Sequence, residues 1–319
     1  MGGIAIADST LSLVWDVTRL RLLVEIGRRG SMSAAARAVG IGQPTASEHV
    51  RILEGAAGQR LVERSGRGST LTEAGEVLAL HAAQALHVLE VGEEELARLA
   101  GLESGTVRIG ASTTPGVYLL PDTLGCFRRD HPNVSVEVEI ASTDEILRRL
   151  RAGRVQLALV GEAEPDERLV VERFVGDEIV GVARPGLLAL REGRARARDL
   201  VGQTLLVREE GSSTRRVTER ALAAAHIWPA RTWELDSTEA IKRAAREGLG
   251  VAFLSRYAVA EEVDRGELEA FRATPKPILR ELHVARLARR GLSPGERRFV
   301  DTLSRCCATS EAYAEACVA

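Results

Sequence analysis

Gly30-Ser31-Met32-Ser33-Ala34-Ala35-Ala36-Arg37-Ala38-Val39-Gly40-Ile41-Gly42-Gln43-Pro44-Thr45-Ala46-Ser47-Glu48-His49-Val50-Arg51-Ile52-Leu53-Glu54 decides how this chain is read. Gly30 ends a preceding helix whose inward face is Leu20, Leu23 and Gly27, spaced i, i+3, i+7. Ser33 can cap a short alanine-rich helix, Ala34–Val39. Gly40-Ile41-Gly42 is a tight turn, and Pro44 is accepted in the first turn of the helix that follows. Ala46, Val50 and Leu53 form the buried stripe of that helix. Helix, glycine turn, helix is the layout of a helix-turn-helix.

Outward from this stretch, Leu61–Arg64 and Ser69–Leu71 flank Ser65-Gly66-Arg67-Gly68 and read as a short hairpin, a wing. Thr72 can cap a long, proline-free segment running to Leu99 and carrying Leu78, Ala82, Ala85, Leu89 and Leu96. Such a rod is best explained as a dimerisation helix. Beyond Gly101 strands and helices alternate, as in an α/β domain. Val170–Val182 reads as two adjacent strands, and a last helix is expected near Pro294–Cys306.

With the buried stripe turned inward, Gln43, Pro44, Thr45, Ser47, Glu48, His49 and Arg51 are left on the outer faces of the second helix. An α-helix fits the major groove, and its first turns reach base edges. Gln43 can pair bidentately with adenine, Glu48 can accept from cytosine, and Thr45 or Ser47 can touch a thymine methyl or a phosphate. Ser31, Ser33 and Arg51 are placed to fix the backbone, with Arg64 and Arg67 on the wing reaching the minor groove or a phosphate. Charge agrees with this assignment. Residues 15–70 hold nine arginines against five acids, a net +4, in a chain of net −2.

In the second half, four strand-to-helix turns are rich in hydroxyls: Ser112-Thr113-Thr114, Ser142-Thr143, Gly211-Ser212-Ser213 and Ser237-Thr238. Helix N-termini with free N–H groups and adjacent hydroxyls bind anions, and ligands of open α/β sheets sit at the carboxyl ends of strands. Each turn taken singly is also an ordinary N-cap, but four of them argue for a pocket. Glu209-Glu210 would oppose an anion if they faced it.

Several function classes are excluded. G-x-S-x-G, G-x-x-x-x-G-K-[ST] and G-x-G-x-x-G are absent, so no enzyme is expected. Cys126, Cys306, Cys307 and Cys317 form no C-x2-C array, so neither a metal nor another cofactor is expected. The sequence has no apolar run long enough for a membrane span and no secretory leader, which places it in the cytoplasm. A plain solute-binding protein is the competing class, and the missing leader speaks against it.

The stretch Gly30–Ala36, Gln43–Ser47, Leu53-Glu54, Leu61–Arg64 and Leu71-Thr72-Glu73-Ala74-Gly75 resembles the DNA-binding signature of the LysR-type regulators. It departs from that pattern at Val62, where phenylalanine is usual, and at Glu48. Residues 106–305 resemble the LysR-type effector domain, built like the periplasmic binding proteins. The resemblance implies an α plus α/β molecule. Residues 1–14 would be a tail, 15–71 the winged helix-turn-helix, 72–100 the linker helix and 306–319 a C-terminal tail. The effector domain would have two lobes, 106–182 with 272–305 and 183–271, joined by crossing strands near Val182 and Phe271. The implied partners are promoter DNA, a small anionic metabolite, RNA polymerase and further copies of the chain as a dimer of dimers. The turns at Ser112, Gly211 and Asp236-Ser237-Thr238 look most like the branch controlling sulfur-assimilation and carbon-fixation operons.

Overall fold

The computed structural model describes residues 14–65, 68–99, 105–163 and 166–316. The expected tail, up to residue 13, lies outside them, as does Arg67. The described residues form two compact units, one ending at Gly105 and one beginning at Thr106, with Arg151–Val155 grouped with the first.

The first unit opens with α1 (Val17–Arg29), α2 (Met32–Val39) and α3 (Gln43–Ala57). Asp16 caps α1 through Arg19 N, and Gly30 and Gly40 close α1 and α2 in the left-handed conformation. The cap of α2 is Ser31, which accepts from Ala34 N, rather than Ser33; the helix therefore starts two residues earlier than expected. Leu22, Leu23 and Ile26 are the buried residues of α1, and Leu20 is only half-buried. They meet Ala35, Ala36, Ala46, Val50 and Leu53 in one core.

The wing is β1 (Val62–Ser65) paired antiparallel with β2 (Gly68–Leu71). Glu54 holds its base by accepting from Leu61 N and Val62 N at 3.0 and 3.3 Å. Thr72 Oγ1 donates to Arg60 O at 2.8 Å and accepts from Gly75 N at 3.1 Å, capping the long helix α4 (Glu73–Leu99). A Cβ at Gly75 would overlap the Leu61 carbonyl oxygen, so only glycine lets α4 start this close to the wing.

The second unit begins with β3 (Gly105–Ser112), a π-helical turn at Pro115–Leu119, α5 (Leu120–Asp130), β4 (Val134–Ala141), α6 (Thr143–Arg151) and β5 (Leu157–Val160). It continues through β6 (Leu169–Ala183), α7 (Ala197–Val201), β7 (Thr204–Val207), α8 (Ser213–Ala224), β8 (Arg231–Glu234), α9 (Thr238–Arg246), β9 (Val251–Ser255) and α10 (Arg256–Asp264). β10 (Glu269–Phe271), β11 (Ile278–Leu287) and α11 (Pro294–Ala316) complete it. One sheet runs β4-β3-β5-β11-β6-β9-β7-β8, with β10 on β6.

The antiparallel pair β6 and β11 is the spine of this sheet. Val175 and Leu282 belong to the core formed with β3, β5 and α11, whereas Ile179 and Ile278 belong to the core formed with β7, β9 and α8. The two lobes therefore meet between Val175 and Ile179 on β6 and between Ile278 and Leu282 on β11. This corrects the expected crossings near Val182 and Phe271, and with them the lobe limits at 182 and 272. It also corrects the reading of Val170–Val182 as two strands: β6 is one strand of 15 residues. Gly176-Asp177-Glu178 imitates a turn in sequence, but Asp177 sits in the strand with its side chain buried. The last helix also runs on to Ala316, so residues 306–316 are helical rather than a tail.

Candidate functional site

The helix-turn-helix presents α3 as sequence periodicity requires. Ala46, Val50 and Leu53 are buried, while Gln43, Pro44, Thr45, Glu48 and Arg51 are exposed; Ser47 and His49 are half-buried. Ser33 Oγ donates to Gln43 Oε1 at 3.1 Å, orienting the amide at the start of the helix. Glu48 and Arg51 pair with each other at 2.8 and 2.5 Å. The hydrogen bond and charge of Arg51 hold the Glu48 carboxyl below its ordinary pKa, and Glu48 raises that of Arg51. Ser31 spends its hydroxyl on capping α2. Arg64 lies on β1, in the wing.

In the second unit the hydroxyl turns converge. Ser112, Thr113, Thr114, Ser142, Thr143, Ser212 and Ser213 line one cavity, together with Thr214 and Arg208. The first five belong to the lobe of β3 and the rest to the lobe of β7. Gly211, at φ 85°, lies beside Ser142, and its carbonyl accepts from Asp144 N at 3.3 Å. Ser142 and Ser237 behave as ordinary caps, accepting from Glu145 N and Ala240 N. Ser237 does not line the cavity, and its neighbour Thr238 meets Arg208. Ser212 is the N-cap residue of α8, yet its side chain makes no capping bond. Thr143 Oγ1 is buried without a partner among the described residues. These two hydroxyls are unspent.

Two buried arginines stand behind the hydroxyls. Arg280, on β11, donates to Thr114 and Thr214 at 2.9 Å each and to Ser213 at 3.2 Å, and it pairs with Asp177 at 2.7 Å. Ser255 Oγ donates to the other Asp177 oxygen at 2.8 Å. Burial pushes the Asp177 carboxyl above its ordinary pKa, a rise that the facing Arg280 charge opposes. Arg208, at the end of β7, donates to Thr113 at 3.0 Å and to Thr238 at 2.7 Å, and holds Glu209 with two nitrogens. Glu209 is thus neutralised, and Glu210 is exposed. Arg215, in the first turn of α8, is engaged by Glu219 and Glu234.

A hydroxyl has one hydrogen to give and two lone pairs to accept with. Thr113, Thr114, Ser213 and Thr214 accept from arginine, so their hydrogens are free to turn toward the cavity. The arginine charge is passed on as a ring of hydroxyl donors, next to the N-terminus of α8. Donors without competing acceptors suit an anion. The cavity itself is about 10 Å³, close to the room for one water, so a larger guest requires the lobes to part.

The winged helix-turn-helix and the two-lobed sheet with its hydroxyl-lined cleft define a DNA-binding regulator with a ligand-binding domain. Residues 17–76 match the model for the bacterial regulatory helix-turn-helix protein, lysR family, and residues 100–308 match the LysR substrate binding domain. The chain belongs to the LysR family of transcription regulators, and it is a regulator rather than an enzyme. It is 34% identical over 260 residues to a "Probable RuBisCO transcriptional regulator" of Porphyra purpurea, covering 80% of this chain and 82% of that one. It is 30% identical to the "HTH-type transcriptional activator CmpR" of Synechocystis, covering 89% and 93%. The Synechocystis CcmR regulatory domain, solved in complex with 2-PG, superposes with a TM-score of 0.58 at 29% identity, over 63% of this chain and 97% of that one. Among the described residues no helix is long and apolar enough to cross a membrane, and no group of three or more metal-ligating side chains occurs.

Proposed function

We infer that this regulator responds to a compact anionic metabolite, such as a phosphate or carboxylate, bound between the lobes by Ser112, Thr113, Thr114, Thr143, Ser212 and Ser213. The observation that carries the reading is the arrangement of Arg208 and Arg280, which occupy the acceptor sides of the cleft hydroxyls and leave their hydrogens for the guest. The kinship with the RuBisCO and CmpR regulators and the 2-PG complex of CcmR support control of carbon-fixation operons by such an anion. Operator DNA would be read by Gln43, Thr45, Ser47 and Glu48, with Arg51, Arg64 and Arg67 on the backbone. The exposed apolar stripe of α4 would pair two chains, and pairs would join as a dimer of dimers. RNA polymerase at the promoter is the remaining partner of this reading, which places the protein in the cytoplasm.

Calorimetry with 2-PG tests the cleft. The full-length protein should bind it saturably, and Ser112→Ala with Ser212→Ala should weaken binding by more than about tenfold, since each hydrogen bond to a charged group contributes roughly 1.5–3 kcal/mol. Equal affinity in the double variant would place the effector elsewhere.

A further inference from the structure

A roomier cavity, about 290 Å³, lies on the other face of β6 and shares no lining residue with the cleft. Successive residues of a strand point to opposite faces. Asp177 turns toward Arg280 and the cleft, while Glu178 turns into this second cavity. Three arginines from separate segments surround it: Arg194 from the bend at Arg191–Arg194, Arg256 at the start of α10, and Arg272 just after β10.

Glu178 is the half-buried counter-ion, accepting from Arg272 Nε at 3.0 Å and lying 3.5 Å from Arg256 Nη1. Glu192 is the other acid, and it is exposed on the rim. Among the lining side chains, three guanidiniums stand beside two carboxylates. Arg194 uses Nη2 on the carbonyls of Thr274 and Pro275, at 2.9 and 3.4 Å. Its Nε and Nη1 meet no acceptor among the described residues. A guanidinium carries five donors in a planar fork that matches a carboxylate. Val180, Ala270 and Phe271 supply an apolar side to the same cavity.

We propose that this cavity is a second small-molecule site, which takes a compact monocarboxylate with a short apolar body. The carboxylate answers the open fork of Arg194. The body lies along Val180 and Phe271. The volume is at the lower end of small-ligand pockets, about 300–1,000 Å³, and leaves room for such a guest. Because Glu178 and Asp177 are neighbours on β6, both sites bear on one strand of the spine.

Butyrate is the probe. Titrated into the full-length protein and followed by ligand-observed NMR, it should bind saturably and more tightly than inorganic phosphate. Arg194→Gln, at an exposed residue that supports no buried ion pair, should weaken it about tenfold or more. Ser112→Ala with Ser212→Ala should leave it unchanged, which separates this site from the cleft. Non-saturable butyrate binding, a preference for phosphate, or full affinity in Arg194→Gln overturns the proposal. Loss of butyrate binding in the cleft variant overturns it as well.

Discussion

Arg280 shows what one buried charge does in this fold. Its side chain is 1% exposed and faces an Asp177 that is fully enclosed. Removing one partner of a buried pair costs about 3–5 kcal/mol, because the other is left without compensation. Asp177→Asn should therefore lower the melting temperature by roughly 10 °C, at about 2–4 °C per kcal/mol for a domain of this size. Asp177→Leu with Arg280→Met should recover most of that loss in the same thermal scan; a double variant no better than the single one would mean that the hydroxyl contacts of Arg280, not the ion pair, hold the lobes. Neither Arg280 nor Arg208 was legible in the sequence. The chain has two lysines among 43 basic residues, so arginine marks no position by its presence. The hydroxyls were legible because they sit at strand ends, where turn chemistry is local. The DNA-facing surface adds a second prediction at this scale. Gln43→Ala should cost operator binding about 1–3 kcal/mol and relax the choice of one base. Glu48→Gln removes a negative charge and frees Arg51, so non-specific affinity should rise and the salt dependence should steepen by about one ion. A gel-shift series over salt concentration reads both; an unaltered Gln43→Ala variant would remove α3 as the reading helix.

At the scale of the element, α4 and β6 teach opposite lessons. The helix α4 was plain in sequence from its length, its cap at Thr72 and its lack of proline. Its faces were not. Leu78 packs against the winged-helix core and cannot serve as a seam between chains. The exposed apolar residues are Val77, Val88, Leu89 and Leu96, and with Ala85 they form one stripe along the helix. Leu89→Asp with Leu96→Asp should thus yield monomers in sedimentation at micromolar protein, with far-ultraviolet circular dichroism unchanged. A dimer that survives both charges would rule this stripe out as the interface. β6 misled in the other direction. A glycine followed by two acids reads as a turn, because turn propensity is local while the Arg280 partner of Asp177 is 103 residues away. Long-range ion pairs override local preference, and no window of sequence around Gly176 contains the evidence.

For the ligand-binding unit as a whole, the size of the cleft decides what the proposed reading requires. The cavity is about 10 Å³, close to the room for one water, so a guest of the size of 2-PG would need a more open arrangement than this one. Direct contacts hold the lobes shut. Tyr118 Oη donates to Glu239 at 2.7 Å, Arg216 pairs with Asp144 at 2.9 Å, and Arg220 pairs with Glu162. The two ion pairs are largely exposed, and solvent screens them. Tyr118 itself is half-buried, although Glu239 is exposed. Burial pushes the Tyr118 hydroxyl pKa far above its ordinary value, with Glu239 adding to the rise, so it remains a donor throughout the working pH range. A ligand that binds only the open arrangement has its apparent affinity reduced by the fraction of molecules that are open. Weakening a contact of the shut form must then tighten binding, although no ligand contact is added. Tyr118→Phe removes one hydrogen bond, with a net contribution of about 0.5–1.5 kcal/mol, and should lower the apparent dissociation constant for 2-PG by a factor of roughly 2–10. Arg216→Ala should act in the same direction and more weakly. Calorimetry at one protein concentration and ionic strength compares the three proteins directly. Weaker binding in Tyr118→Phe would mean that the hydroxyl belongs to the liganded form, and that the shut cleft is not the state the effector has to displace.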